Sequence, residues 1–117
     1  MKKAIFLVVI VLIISIFTGC AEVYEDLYFS LSSSDVSKIY LDATLRDDGK
    51  VVDKVNGIFQ TPYQSGNFRF KPGQVFVIQG QDYNSDIKTT YLKVFRSGSM
   101  TKEIIIQKGS FGFQLDY

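Results

Sequence analysis

The chain has 117 residues, of which 46% are hydrophobic, 15% aromatic and 21% charged. This length provides one globular domain and excludes a multidomain enzyme. The 13 basic residues nearly balance the 12 acidic ones and form no stripe, so the sequence predicts no nucleic-acid partner. Because there is no His and a single Cys, neither an intrachain disulfide nor a Cys/His metal cluster is expected, and we predict no cofactor.

Residues 1–19 have the pattern of a signal peptide. Lys2 and Lys3 precede an apolar segment over residues 4–17 that is broken only by Ser15. The segment is shorter than the roughly 18 to 20 residues that a helix needs to cross the hydrocarbon core. A permanent membrane span is therefore the weaker interpretation.

The tetrapeptide Phe17-Thr18-Gly19-Cys20 follows the apolar segment directly and contains the only cysteine. It resembles a bacterial lipobox, with Phe17 in place of the usual Leu. The resemblance implies that a diacylglycerol is joined to the sulfur of Cys20, that cleavage falls between Gly19 and Cys20, and that fatty acyl chains such as palmitate anchor the mature protein. The alternative is an ordinary signal peptide or short anchor with a coincidental cysteine.

A lipid on Cys20 would place the domain outside the cytoplasm, on a membrane of the bacterial cell envelope. Loss of Lys2 and Lys3 leaves a nearly neutral chain, so the acyl chains, at about 0.8 kcal/mol per buried CH₂, would have to hold it there. Residues 20–25 form a short tether that reaches about 20 Å at most. We therefore expect the domain to act close to the membrane.

Alternation of apolar and polar residues at period two recurs after Cys20, and no helical pattern competes with it. We predict an all-β domain over residues 26–117. The clearest strand is Lys38–Arg46, in which one face carries Ile39 and Leu41 and the other Tyr40. The other predicted strands cover residues 26–31, 51–55, 68–70, 74–81, 87–96, 100–107 and 111–117, with a short extended run at 58–60.

Turn signals separate these strands. Asp47-Asp48-Gly49-Lys50 predicts a hairpin, Asn56-Gly57 a second turn or a bulge, and Pro62 an edge or a crossover. Further turns are predicted at residues 71–74 and 96–99. Seven or eight short strands at this spacing predict an antiparallel β-sandwich, immunoglobulin-like in outline, in preference to a small barrel.

Part of the mature chain resembles the mycobacterial membrane protein small family and related envelope lipoproteins. The resemblance covers residues 57–117 and rests on Thr61-Pro62-Tyr63, the strand entry at 72–76, the segment 92–98 and the aromatic-ended last strand. It implies a membrane-anchored β-sandwich that assists a transporter in exporting lipids or small molecules. This chain differs from that pattern at Tyr63, where Trp is common, in lacking paired cysteines, and in carrying a lipobox.

The sequence offers no convincing catalytic group. Without His or a free thiol in the mature chain, the remaining nucleophile pattern is a Ser-Lys pair, and residues 32–34 precede Lys38 in what is better explained as a solvated turn. Asp47 and Asp48 occupy a predicted turn, which is a common position for Asp. We therefore predict a protein that is not an enzyme and has no catalytic residues.

Asp82, Asn84 and Asp86 place oxygen-bearing side chains at alternate positions, as at the start of a calcium loop. The pattern then departs from that of a calcium loop, because Ile87 replaces the turn glycine and Lys93 the bidentate Glu. A polar hairpin loop explains the segment better than a weak calcium site, and we predict no metal.

The aromatic content exceeds what one thin core requires, so some aromatic side chains are candidates for partner contact. We predict partner binding by Tyr63, Phe68, Tyr83 and Asn84, with Tyr40 and Tyr91 on outer sheet faces. The leading hypothesis is a non-catalytic envelope lipoprotein that binds a protein or a small apolar partner, as an accessory to a transporter or an envelope complex. The alternative is an inhibitor or exclusion factor that blocks an envelope enzyme or channel with the loop 81–86.

Overall fold

The computed structural model describes residues 23–117, so the predicted signal peptide, the cleavage site at Gly19 and the lipidation site at Cys20 lie outside the described residues. A helix with the length and apolar character of a membrane span is absent from residues 23–117. The described chain folds into β-strands: β1 Glu25–Ser33, β2 Lys38–Asp47, β3 Lys50–Gln60, β4 Tyr63–Gln64, β5 Phe68–Phe70, β6 Gln74–Asp82, β7 Thr90–Arg96, β8 Ser99–Ile106 and β9 Ser110–Asp116.

These strands form two antiparallel sheets packed face to face, which confirms the predicted all-β, two-sheet architecture. The first sheet has the order β4-β1-β7-β8, with β5 also paired to β1, and the second has the order β3-β2-β6-β9. β4 pairs with Ser30 and Leu31 of β1, whereas β5 pairs with its first residues, so β4 and β5 are two parts of one interrupted edge strand. In the constant-type immunoglobulin order the first two strands share a sheet; here β1 and β2 lie in different sheets.

The core lies between the sheets and is built by the alternation seen in the sequence. Every second residue of β1 and β2 points inward, because successive side chains of a strand face opposite sides. The buried apolar side chains are Leu27, Phe29, Leu31, Ile39, Leu41, Ala43, Leu45, Phe68, Phe70, Phe76, Ile78, Leu92, Val94 and Ile106. The inner residues of β9 pack against this core and are partly buried.

The sequence signals Asn56-Gly57 and Pro62 correspond to different features of the structure. Asn56-Gly57 does not reverse the chain, because both residues pair with β2 inside the continuous strand β3. The ladder between these strands is irregular elsewhere: Leu45 pairs with Asp53 and Arg46 with Val51, which leaves Val52 as the extra residue of a bulge. Pro62 lies where the chain crosses from one sheet to the other, as predicted.

The sandwich has two ends, which we call proximal and distal. The proximal end contains the start of β1, the β2–β3, β5–β6 and β7–β8 turns and the last residue, Tyr117. The distal end contains the loops β1–β2, β3–β4, β6–β7 and β8–β9. β1 has 9 residues, and at about 3.4 Å per residue its two ends lie roughly 27 Å apart. The chain that follows Cys20 thus enters at the proximal end.

Candidate distal loop site

The distal loops are joined by a network of buried hydroxyl groups. The Ser37 and Thr90 hydroxyls lie 2.6 Å apart, and both residues are fully buried. Thr61 Oγ1 accepts a hydrogen bond from the Ser37 amide at 3.0 Å and lies 2.5 Å from Ser33 Oγ. Because no buried side-chain N or O in residues 23–117 lacks a partner, this network stabilises the distal end without an unsatisfied polar atom.

Asn84 connects the β6–β7 loop, residues 83–89, to the start of β2. Its Oδ1 accepts a hydrogen bond from the Lys38 amide at 2.8 Å, and its Nδ2 donates to Ser37 Oγ at 2.9 Å. Its amide and its Nδ2 also donate to Asp82 Oδ1, at 2.8 and 2.5 Å. The Tyr83 amide adds a bond to the Lys38 carbonyl at 3.0 Å. The side chain of Asn84 is therefore occupied in holding the loop in place.

Two apolar side chains of this loop point into solvent. Ile87 is 75% exposed and Tyr83 is 60% exposed, whereas most large apolar residues of the sandwich face the core. The Tyr83 amide donates to the Lys38 carbonyl, which fixes the backbone at Tyr83, and the Lys88 side chain joins the segment after Ile87 to the β1–β2 loop. An exposed apolar side chain on a fixed backbone can contact a partner without first paying the entropy of ordering the loop.

A shallow groove lies on each side of Lys88. One groove, of about 310 Å³, is lined by Val36, Lys38, Tyr83, Asn84, Ser85 and Lys88. The other, of about 430 Å³, is lined by Ser34, Asp35, Asp86, Ile87, Lys88 and Thr89. Lys88 Nζ donates to the Val36 carbonyl at 2.7 Å and lies 3.6 Å from Asp35 Oδ2, so it connects the loops β1–β2 and β6–β7.

The predicted partner-binding residues separate into two groups. Phe68 is only 2% exposed, with its ring 5.3 Å from that of Phe76, so its side chain belongs to the core and not to a surface. Tyr63 is half-buried, and its ring lies 4.3 Å from Phe59. Phe68 therefore does not belong to an exposed patch, whereas Tyr63 packs against the core and keeps part of its surface in solvent.

Tyr83 and Asn84, by contrast, lie together at the distal end. Tyr83 presents its ring to solvent and Asn84 fixes the backbone beneath it. In this arrangement Tyr83 is the candidate contact residue and Asn84 a positioning residue. Ile87 was named from the sequence only as a departure from the calcium-loop pattern, and neither Ile87 nor Lys88 was predicted to contact a partner; the available signal was an apolar residue beside a lysine in a polar stretch.

Two of the three side chains in the calcium-like pattern, Asp82 and Asn84, form hydrogen bonds within the loop and to β2. Asp82 Oδ1 accepts two hydrogen bonds from Asn84, and Asn84 Oδ1 faces the Lys38 amide. Within residues 23–117 no group of three or more His, Cys, Asp or Glu is placed to hold a metal ion. Among the serines next to Lys38, Ser33 donates to the Asp35 carbonyl. These serine and carboxylate groups thus act in loop structure.

The proximal end is held by one charged residue that the sequence did not point to. Arg96 donates to the Glu25 carboxylate, and its guanidinium lies 5.1 Å from the Phe70 ring centre and 4.6 Å from that of Tyr117. The hydrogen bond to Glu25 raises the pKa of Arg96 above its ordinary value, and an arginine is protonated at physiological pH even without such a shift. The Arg96 cluster, comprising these four residues, ties the start of β1 to β5, β7 and the end of the chain.

A comparison of the chain with protein-family models, curated proteins and solved structures found no match.

Proposed function

We propose that this protein is a non-catalytic lipoprotein of the bacterial cell envelope, anchored through Cys20, whose distal loop binds a partner. The single observation that carries the proposal is the placement of the two ends: the chain enters β1 at Glu25, and Tyr83 and Ile87 are exposed at the opposite end. A domain that is tethered to the membrane at one end presents its other end to binding partners above the membrane.

The distance between the ends supports this arrangement. The length of β1, about 27 Å, adds to a tether that spans at most about 20 Å from Cys20 to Glu25. The distal loop would then reach partners within about 50 Å of the lipid surface. A partner that lies in or beside the same membrane falls within this range, and the family resemblance suggests a transporter or an envelope complex.

The chemistry of the loop favours a protein partner. Tyr83 offers an aromatic ring with a hydroxyl group, a combination that is enriched in protein interfaces because it buries a large area at low entropic cost. Ile87 adds apolar area, and Lys88 and Asp86 supply opposite charges beside it. The grooves on either side are lined in part by charged and polar side chains, among them Lys88 and Asn84, which suits the mixed surface of a protein better than a small apolar ligand.

A second candidate function is inhibition or exclusion, in which the same loop blocks an envelope enzyme or channel. It is favoured by the exposure of Ile87 and by the hydrogen bonds of Asn84, which attach the start of the loop to Ser37 and Lys38. Rigid, exposed loops are suited to inserting into a cleft because little entropy is lost on binding. Both candidates predict that the loop, and not a sheet face, carries the contact.

The proposal is tested by crosslinking and affinity capture of the full-length protein from its own membranes. The loop variant combines Tyr83→Ala with Ile87→Ala. The matched control combines Tyr91→Ala with Ile105→Ala, which removes the same residue types from paired, exposed positions on the outer face of the first sheet.

We expect the loop variant to lose the captured partner and the control to retain it. Mass spectrometry of the purified protein checks the anchor, and should show a mature N-terminus at Cys20 that carries acyl chains. Retention of residues 1–19, or an unmodified Cys20, would contradict the lipoprotein assignment. Loss of the partner in the control alone would move the binding site to the sheet face.

A further inference from the structure

A second group of exposed apolar side chains surrounds the point where the chain enters the domain. Val23 is 67% exposed, Val52 53%, Val51 51% and Tyr24 43%. We call these four residues the proximal rim. They are far from the distal loop because they belong to the start of the described chain and to the first residues of β3. Neither the core nor the distal loop site accounts for their exposure.

Arg69 lies between the two parts of the proximal rim. Its guanidinium lies 5.0 Å from the ring centre of Tyr24. On its other side it shares a groove of about 440 Å³ with Val52, lined by Leu45, Asp47, Val52, Asp53, Asn67, Arg69, Lys71 and Gln74. The segment before β1 and the β2–β3 hairpin are thus adjacent in space although they are distant in sequence.

Val51 and Val52 belong to a run of five exposed residues, Lys50 to Lys54, at the start of the edge strand β3, and a bulge lies within this run. In a regular strand one of two neighbouring side chains faces inward. Here Val52 has no partner in β2, and the ladder resumes at Val51, which pairs with Arg46. A bulge redirects side chains and bends the strand. Leaving two β-branched apolar residues in water at this position is costly unless something covers them.

The tether limits which surface can cover these valines. Val23 follows Cys20 by three residues, so its Cα lies within about 11 Å of the Cα of Cys20, at about 3.6 Å per extended residue. If the acyl chains on Cys20 are inserted in a bilayer, the proximal rim is held at the level of the lipid head groups or just above it. No other surface is kept so close to the rim by covalent connection.

The chemistry of the rim suits that level. Valine side chains gain from leaving water, and tyrosine is enriched at membrane interfaces, where its ring is apolar and its hydroxyl remains hydrated. Arg69 can extend its guanidinium to lipid phosphates while its stem stays among apolar groups. The carboxylates of Asp47 and Asp53 beside it make the charge of this end mixed, so apolar contact rather than net charge would supply the attraction.

We infer that the proximal rim rests in the head-group region of the bilayer and fixes the orientation of the sandwich, so that the distal loop points away from the membrane. This inference rests on the lipid anchor of the proposed function. It adds that the domain does not swing freely on its tether: the acyl chains hold the protein to the membrane, and the rim sets its tilt.

The experiment uses the full-length protein, purified in its lipidated form and reconstituted into vesicles of phosphatidylethanolamine with a minor fraction of phosphatidylglycerol. An environment-sensitive fluorophore is attached to a new cysteine, Val52→Cys in the test protein and Ile87→Cys in the matched control. Both positions are exposed aliphatic residues, so the labelled proteins should fold alike. Quenching by spin-labelled lipids then reports how near each probe lies to the bilayer.

We expect the probe at Val52 to show a blue-shifted emission and strong quenching, and the probe at Ile87 to show neither. Replacing Val51 and Tyr24 by Asp in the Val52-labelled protein should abolish the shift while mass spectrometry still finds the lipid on Cys20. Equal, weak quenching at both positions in a lipidated protein would overturn the inference and leave the anchor standing. A protein without lipid on Cys20 would overturn the proposed function instead.

Discussion

The two ends of the sandwich are stabilised by different chemistry. At the proximal end one cation, Arg96, joins a carboxylate and two aromatic rings, so that several elements depend on a single side chain. At the distal end neutral hydroxyl and amide groups hold the loops together by several hydrogen bonds, and Asn84 is one member of this network. The comparison shows that the same fold can do two things. It stabilises the end on which a tether would pull, and it leaves apolar loop residues exposed at the other end.

The largest expected effect is a loss of stability caused by a substitution in β6, near the distal end of the sandwich. Gly80 pairs with Leu41 and Phe111, and a Cβ there would lie 2.7 Å from Phe111 Cζ and would clash with the Tyr40 carbonyl oxygen. The backbone oxygen cannot move aside as a flexible side chain would. We expect Gly80→Ala to lower the free energy of unfolding by about 3 kcal/mol, measured by chemical denaturation.

The control for that prediction is Gly112→Ala on the neighbouring strand. The nearest atom to a Cβ at Gly112 is the Ile78 carbonyl oxygen at 4.0 Å, an ordinary contact. Because Gly in a strand costs about 0.5 to 1 kcal/mol relative to Ala, Gly112→Ala should leave stability unchanged or raise it slightly. Equal losses in the two variants would show that this sheet tolerates no added methyl group and that Gly80 is not special.

The next effect concerns the proximal end. Arg96→Met removes the charge but keeps an unbranched apolar side chain over the rings of Phe70 and Tyr117. Loss of the Glu25 ion pair, whose partners are 25% and 32% exposed, together with two cation–π contacts, should cost about 1 to 2 kcal/mol of unfolding free energy. Denaturation midpoints measure the loss, and hydrogen exchange should locate it at the start of β1.

Arg96→Lys sharpens that prediction. Lys keeps the positive charge but lacks the planar guanidinium that stacks on both rings and donates to Glu25. We expect a stability between those of Arg96→Met and the natural protein. If Arg96→Lys were as stable as the natural protein, charge alone would account for the Arg96 cluster, and the stacking on Phe70 and Tyr117 would contribute nothing.

The elements that could be predicted from sequence are those whose side chains alternate. The inward residues of β1 and β2 were identifiable because one face is apolar and the other polar, and a shift of one residue would expose the entire set. β6 is less simple: it contains four apolar residues in succession, Val75 to Ile78, a run that is typical of a strand covered on both faces. The structure places β6 centrally in its sheet but leaves Val75 and Val77 half-buried on the outer face.

The site was harder to predict because burial depends on where a strand lies and not only on its residue types. Phe68 was expected at the surface, but alternate residues of β5 face the core and Phe68 is one of them, whereas Tyr63 of β4 is half-buried against that core. The Arg96 cluster joins residues that are up to 92 positions apart, Glu25 and Tyr117, so no local pattern could indicate it. Tyr83 and Asn84 were identifiable because turn-forming polar residues marked their loop.

The smallest expected effect tests the distal end. Asn84→Ala removes the acceptor for the Lys38 amide and the donor to Ser37 Oγ, and should cost about 1 kcal/mol of global stability. Its local effect should be clearer, because the Tyr83 amide, which donates to the Lys38 carbonyl, depends on the same attachment. Native-state hydrogen exchange should show faster exchange of the Tyr83 amide with little change in β1.

Ser85→Ala, in the same loop, is the control, since an exposed residue outside the Asn84 hydrogen bonds should leave exchange at Tyr83 unchanged. If Asn84→Ala accelerates exchange throughout β1 and β7 as well, the distal network is part of the global fold, and the loop cannot loosen separately. If only the loop responds, Asn84→Ala should also weaken partner capture by Tyr83 without unfolding the sandwich. That result would separate the position of the loop from the stability of the domain, as the contrast between the two ends requires.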